Sequence, residues 1–175
     1  PLGTITVRIE TTAGSILVAL DSARAPITTV NFLKYVDGGY YTNGNFFRTV
    51  RADNQPHDSV KIGVIQGGPD TTKNGDAFGP IALERTTATG LRHLDGTISM
   101  ARDGPNTATS SFFICIGDQP SLDFGGHRNL DGQGFAAFGR VIAGMDVVRR
   151  IQADPADGQR LTPPVTILSI ERVAR

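Results

Sequence analysis

The sequence predicts a mostly β protein: an antiparallel barrel with its ends capped by two α-helices. Three observations carry this prediction. Apolar residues alternate with polar ones in about eight short runs, the period of strands with one buried face. Only two segments carry helical spacing instead. Glycine and proline, 21 and 10 of 175 residues, exceed the roughly 12% of an average protein and supply the turns that many short strands need. An open sheet would leave unpaired edges, and closure removes them.

Ile5, Val7 and Ile9 alternate with polar neighbours, as do Ile16, Val18 and Leu20, and the turn-forming run 11–15 joins them into a hairpin. Pro26 suits a first helical position, where its missing N–H is not needed. Ile27, Val30, Leu33 and Val36 follow at helical spacing until Gly38-Gly39. Residues 46–50 and 61–66 read as strands on either side of the polar stretch 51–59. Thr, Gly, Asn and Asp dominate 69–95, giving loops with one short strand near 81–83. Alternation returns in 97–101 and 111–116; glycine-rich 125–134 is a loop, and 135–141 a strand. Met145, Val148 and Ile151 mark the second helix, stopped by Asp154-Pro155. Val165, Ile167 and 168–170 form the last strand. With no repeat, linker or low-complexity tract, residues 1–175 read as one domain.

Composition excludes several functions. At 39% hydrophobic and 19% charged the chain reads as a soluble globule. Its 17 basic residues balance 17 acidic ones, so no net field attracts polyanions, and neither nucleic acid nor membrane is an expected partner. No apolar stretch reaches the roughly 18–20 residues of a membrane span. The lone Cys115 excludes an intramolecular disulfide and reads as a buried, inert thiol. His57, His93 and His127 lie far apart in polar contexts and read as scattered surface histidines. Residues 70–76 lack the acidic spacing of a calcium loop and read as a turn. Arg149-Arg150 read as a solvated helix face near a C-terminus. Nucleophile-elbow, zinc-protease, Walker and dinucleotide motifs are all missing, so neither metal nor cofactor is expected. The chain starts at Pro1 without a signal-peptide pattern; bacterial cytoplasm and periplasm both stay open, and monomer is the default.

Three residues stand out in legible runs: Arg48 in Phe46-Phe47-Arg48, Gln66 in 64–68, and Phe113 in 110–114. A permanent cation, an amide and an aromatic ring include no nucleophile and no base near neutral pH. They suit a reaction that moves no atoms between molecules and only rotates a bond. Rotation before proline is such a reaction, with a barrier of about 18–20 kcal/mol and an uncatalysed time of roughly tens to hundreds of seconds. Period two sends Phe112, Ile114 and Ile116 to one face, the core, and Ser111, Phe113 and Cys115 to the other. A phenylalanine beside serines on an outer face is either a surface accident or the floor of an apolar groove.

With Gln66-Gly67-Gly68, Ile98-Ser99-Met100-Ala101, Gly104-Pro105-Asn106-Thr107, the run 110–115 and Phe138-Gly139, these blocks occur in one order at compatible spacing. On them the chain resembles, over nearly its whole length, the cyclophilin family of peptidyl-prolyl cis-trans isomerases. The resemblance implies a closed eight-stranded barrel with two capping helices, acting on proline-containing peptides and unfolded chains without a covalent intermediate. It implies Arg48 as catalytic arginine, donating to the proline nitrogen of the twisted transition state, with Gln66 beside it and Phe113 under the proline ring. Ala101 and Leu122 would be further walls, and Phe47, Val64 and Ser111 further substrate contacts. Arg102, where the family usually has asparagine, would pair with the extended peptide through its backbone. Phe135 stands where eukaryotic members often carry histidine.

Departures from the family pattern carry expectations of their own. The segment 49–65 is longer than in compact members and is expected to form a groove rim; unchanged discrimination among Xaa-Pro peptides after deleting 54–59 would exclude this. Gly63 and Val64 replace larger apolar residues, so the pocket wall is either thinner there or refilled by Phe135. The tryptophan linked to tight cyclosporin binding is absent near Ser121-Leu122, so weak inhibition is expected, and low-nanomolar inhibition would refute it. The substitutions look bacterial. Two other classes remain: a proline-peptide binding module or holdase with little turnover, which needs no donor at the proline nitrogen, and a small-molecule carrier barrel. Two helices and large Phe and Met side chains destined for a filled interior count against the carrier.

Overall fold

The computed structural model describes residues 3–174, so the outermost positions of the predicted 1–175 domain lie outside the described residues. Strands β1 (Thr4–Thr11) and β2 (Gly14–Asp21) form the opening hairpin, in register from Thr4↔Asp21 to Thr11↔Gly14. Helix α1 (Pro26–Asp37), strands β3 (Gly44–Val50) and β4 (Val64–Gly68), and a single helical turn α2 (Thr86–Thr89) follow. Then come β5 (Thr97–Met100), β6 (Phe112–Cys115), a 3-10 turn (Pro120–Leu122), β7 (Ala137–Ala143), α3 (Met145–Ala153), β8 (Ala156–Asp157) and β9 (Arg160–Arg172). Antiparallel pairing runs β1-β2-β7-β5-β6-β4-β3-β9, and β9 returns to β1 through pairs such as Ile9↔Ile170. Eight strands thus close a barrel, and β8 adds a short flap on β9.

The interior is filled. Val7, Ile9, Ile16, Val18 and Leu20 from the hairpin meet Ile98, Phe112, Ile114, Phe138 and Ile167 in one core with no exposed surface. Phe32, Tyr35 and Val36 of α1 and Val147, Val148 and Ile151 of α3 join that core, so both long helices cover the barrel. A filled lumen leaves no room for a carrier's cargo.

Several elements differ from the sequence expectation. Helix α1 starts at Pro26 as expected, but Ile27 and Val30 are 47% and 53% exposed. Its inner face keeps the expected Leu33 and Val36 and adds Thr28, Thr29, Phe32 and Tyr35. The Glu84 carboxylate sets this rotation by accepting from the Thr28 N–H (2.7 Å) and Oγ1 (2.6 Å), a favourable anion at a helix N-terminus. The strand expected at 61–66 begins only at Val64, because the backbone of Ile62 pairs with the buried Gln55 amide (3.0 and 2.7 Å). The strand near 81–83 is a single bridge, Ile81↔Ala108. Strand β7 starts after Phe135, whose N–H is taken by the Leu122 carbonyl. The last strand starts at Arg160, running through two prolines that hide it from pattern reading.

Candidate active site

Ladder register assembles the site. Arg48 pairs with Gln66, Gln66 with Phe113, and Phe113 with Ser99, one rung across β3, β4, β6 and β5. Directly opposed residues share a face, so the three singled-out side chains meet on the outer wall. Strict alternation would instead aim Arg48 inward beside Phe46. The ladder slips here: Phe46 faces Gly67 and Arg48 faces Gln66, so Phe47 is an extra residue, and this bulge turns Arg48 outward. Phe47 itself is 36% exposed and does not line the cleft. Gly67 has its own reason, since a Cβ there would lie 2.9 Å from the Phe46 ring.

The cleft, of about 410 Å³, is lined by Arg48, Val64, Gln66, Ala101, Arg102, Ser111, Phe113, Leu122 and Phe135, all named by the sequence. Ile62, Asp103, Thr107, Thr109, Arg128 and Asn129 complete it. Its floor is a second apolar cluster of Val50, Ile62, Val64, Phe113, Cys115 and Leu122, against which Ala101 and Phe135 pack. Phe113 and Phe135 meet edge to face at 5.3 Å, so Phe113 is a groove floor and not a surface accident. Burial pushes the Cys115 thiol far up, which leaves it inert.

Arg48 is held by two neutral amides. Its Nε and Nη2 donate to Gln159 Oε1 at 2.9 and 2.8 Å, and Nη1 donates to Gln66 Oε1 at 3.0 Å. Gln66 Nε2 donates to Ser111 Oγ at 3.3 Å, and Gln159 Nε2 to the Asn54 carbonyl at 3.1 Å. Orientation is therefore fixed while the charge stays uncompensated by a contacting carboxylate, and one N–H on each Nη has no partner among the described residues. Burial lowers the pKa of Arg48, Arg128 adds to this and Asp58 opposes it; arginine remains a cation at neutral pH. Gln159 carried no sequence signal.

Arg102 braces the opposite wall. It grips Asp131 with two bonds (2.9 and 3.1 Å), donates to the Gly134 carbonyl, and lies 5.0 Å over the Phe135 ring. Its side chain is buried, and its own backbone N–H and carbonyl have no partner among the described residues.

His93 corrects an expectation. His57 and His127 are exposed, but His93 is buried behind Phe113, stacked on it at 6.0 Å. Its Nδ1 meets Asp123 Oδ1 at 2.7 Å and its Nε2 meets Ser99 Oγ at 2.9 Å. These are the distances of a serine–histidine–aspartate relay, yet Ser99 is wholly buried, so nothing can reach it. The relay positions the floor. Burial would raise the Asp123 pKa, but hydrogen bonds from the His93 ring and backbone, helped by Arg92, outweigh it and hold the carboxyl below its usual range. A depressed folded-state pKa adds stability that is complete above the unfolded value of about 3.9 and is lost as pH falls through the folded value. Asp123→Asn should therefore lower stability at neutral pH and flatten the acid limb. Denaturant titrations between about pH 2 and 5 check this, and an unchanged limb contradicts it.

A filled barrel that works on its outer wall, with a fixed cation over an apolar floor, defines the class: a non-covalent site for a peptide rather than a lumen for a carried molecule. Residues 6–172 match the family described as "Cyclophilin type peptidyl-prolyl cis-trans isomerase/CLD". Peptidyl-prolyl cis-trans isomerase cyp18 of Streptomyces antibioticus is 38% identical over 84% of this chain and 82% of its own. Peptidyl-prolyl cis-trans isomerase B of Escherichia coli K12 is 35% identical over 83% of each. The crystal structure of a Cryptosporidium parvum cyclophilin type peptidyl-prolyl cis-trans isomerase matches with a TM-score of 0.79 at 26% identity, covering 98% of this chain and 99% of that one. A crystal structure of the same protein in the presence of the dipeptide Ala-Pro matches at 0.78. The chain belongs to the cyclophilin-type peptidyl-prolyl cis-trans isomerases, and isomerisation of Xaa-Pro bonds is the reaction it catalyses.

Proposed function

We propose that this cleft binds proline-containing segments of peptides and unfolded chains and rotates the Xaa-Pro bond beneath Arg48. Twisting breaks amide resonance, so the proline nitrogen becomes pyramidal and gains a lone pair. A guanidinium N–H aimed at that nitrogen binds the twisted state better than either planar isomer, and only such differential binding accelerates the step. Phe113, Leu122 and Ala101 hold the pyrrolidine ring while the acyl side turns. Gln66 orients the guanidinium, and the unpaired backbone of Arg102 suits pairing with an extended peptide. Ile62 and Phe135 complete the wall beside Val64.

The observation that carries this reading is the Gln66–Arg48–Gln159 arrangement, which fixes a cation without neutralising it. A binding module or holdase would need the floor but no fixed donor. The loop 51–62 supports its proposed part in the rim, since Ile62 lines the cleft and Asn54 holds Gln159. The chain has no tryptophan, consistent with the proposed weak cyclosporin binding.

Exchange NMR on a short Ala-Pro peptide tests the proposal. The protein should accelerate cis/trans exchange, and Gln159→Leu, which removes both hydrogen bonds that one amide oxygen accepts from Arg48, should lower kcat/KM about tenfold with KM little changed. Binding without acceleration in the unmodified protein would favour the binding module.

A further inference from the structure

Arg128 lines the same cleft as Arg48 but has no part in the rotation described above. It belongs to the glycine-rich loop 125–134 and reaches across to the loop 51–62. Its Nη1 donates to Gln55 Oε1 at 2.9 Å and to the Val60 carbonyl at 2.7 Å, which uses both N–H bonds of that nitrogen. The Nε–Nη2 edge makes no hydrogen bond among the described residues. The carboxylate paired with it, Asp58, lies 3.5 Å from Nη2 on a side chain 44% exposed. A guanidinium edge of two parallel N–H donors is the shape that takes a carboxylate with two bonds. One nitrogen of Arg128 thus ties the two loops together, and the other edge is held only by the ion pair with Asp58, without a hydrogen bond among the described residues.

Charge balance points the same way. Asp131 matches Arg102 through two hydrogen bonds, whereas Arg48 is held by neutral amides. Among the described residues, the one carboxylate lining the cleft is the exposed Asp103. After burial, Arg128 is the next influence disfavouring the charged form of Arg48, and Asp58 counters it. A substrate carboxylate entering here would relieve that repulsion.

We propose that the Nε–Nη2 edge of Arg128 is a specificity subsite for a carboxylate within two residues of the substrate proline, with Asp58 competing for the same edge. This rests on the isomerase reading of the cleft. Bound substrate anions gain from Arg128 through KM, and salt screens their approach to the cleft from solvent.

The test is exchange NMR and steady-state kinetics on tetrapeptides containing Ala-Pro, with Glu, Gln or Lys placed in turn at each flanking position. The unmodified protein should favour the best Glu peptide over its Lys counterpart about fivefold in kcat/KM, and the ratio should shrink between about 50 and 500 mM salt. Arg128→Gln should bring the ratio near one, whereas Asp58→Asn should raise it. Opposite shifts are what a mere loop tie would not produce. If Arg128→Gln fails to fold, the exposed Asp58→Asn still decides, since an unchanged or reduced ratio overturns the proposal. Isomerisation of all peptides at equal rates overturns this proposal alone; isomerisation of none would overturn the reading beneath it as well.

Discussion

Arg48→Ala is expected to lower kcat/KM for Xaa-Pro isomerisation by about 100- to 1,000-fold, the loss seen when a single preorganised donor to a developing charge is removed. The size follows from the geometry. Arg48 is locked by Gln159 on two nitrogens and by Gln66 on a third, so its remaining donors need no reorganisation when the imide twists. The floor built from Phe113 and Leu122 is untouched, so peptide affinity should persist. Chemical-shift titration with an Ala-Pro peptide checks affinity, and exchange spectroscopy checks the rate. A rise in KM with kcat unchanged would mean that Arg48 binds substrate and transition state alike, and the mechanism would fail.

Phe112→Ala is expected to have the largest effect on stability. Phe112 is fully buried and sits among Phe32, Tyr41 and Phe46, with ring centroids at 5.6, 5.6 and 5.7 Å in edge-to-face contact. Truncating such a ring costs about 3–5 kcal/mol, because the surroundings collapse only partly into the cavity. In a domain of this size that lowers Tm by about 6–20 °C. Molecules still folded should isomerise at near-normal rates, because Phe112 points into the barrel and its neighbour Phe113 into the cleft. Thermal unfolding monitored by calorimetry checks the first statement. A fall in Tm of less than about 3 °C would show that the three rings close the gap.

That division between adjacent phenylalanines was legible from alternation alone, and so was the grouping of Arg48, Gln66 and Phe113 through the runs that contain them. What escaped has one physical origin: partners chosen by barrel closure rather than by neighbours in the chain. Gln159 stands 111 residues from Arg48 in a turn of ordinary composition. His93 looked solvated because its own segment is polar, but Asp123 and Ser99 receive it from two other segments. Arg128 and Gln55 come from two loops without periodicity, so no pattern could join them. Ile27 and Val30 misled because apolar spacing marks a helix without saying which face a distant carboxylate such as Glu84 will turn inward. The bulge in β3 was hidden because alternation assumes an unbroken ladder.

The supernumerary position in β3 makes strand length part of the enzyme's specification, alongside residue identity. Excising Phe47 would straighten the pairing of β3 with β4 and leave Phe46 opposite Gly67 and Arg48 opposite Gln66, each still on its present side of the wall. A one-codon deletion there would then preserve the facing of every rung, whereas losing a paired residue such as Thr49 would turn its neighbours to the wrong side and strike folding and turnover together.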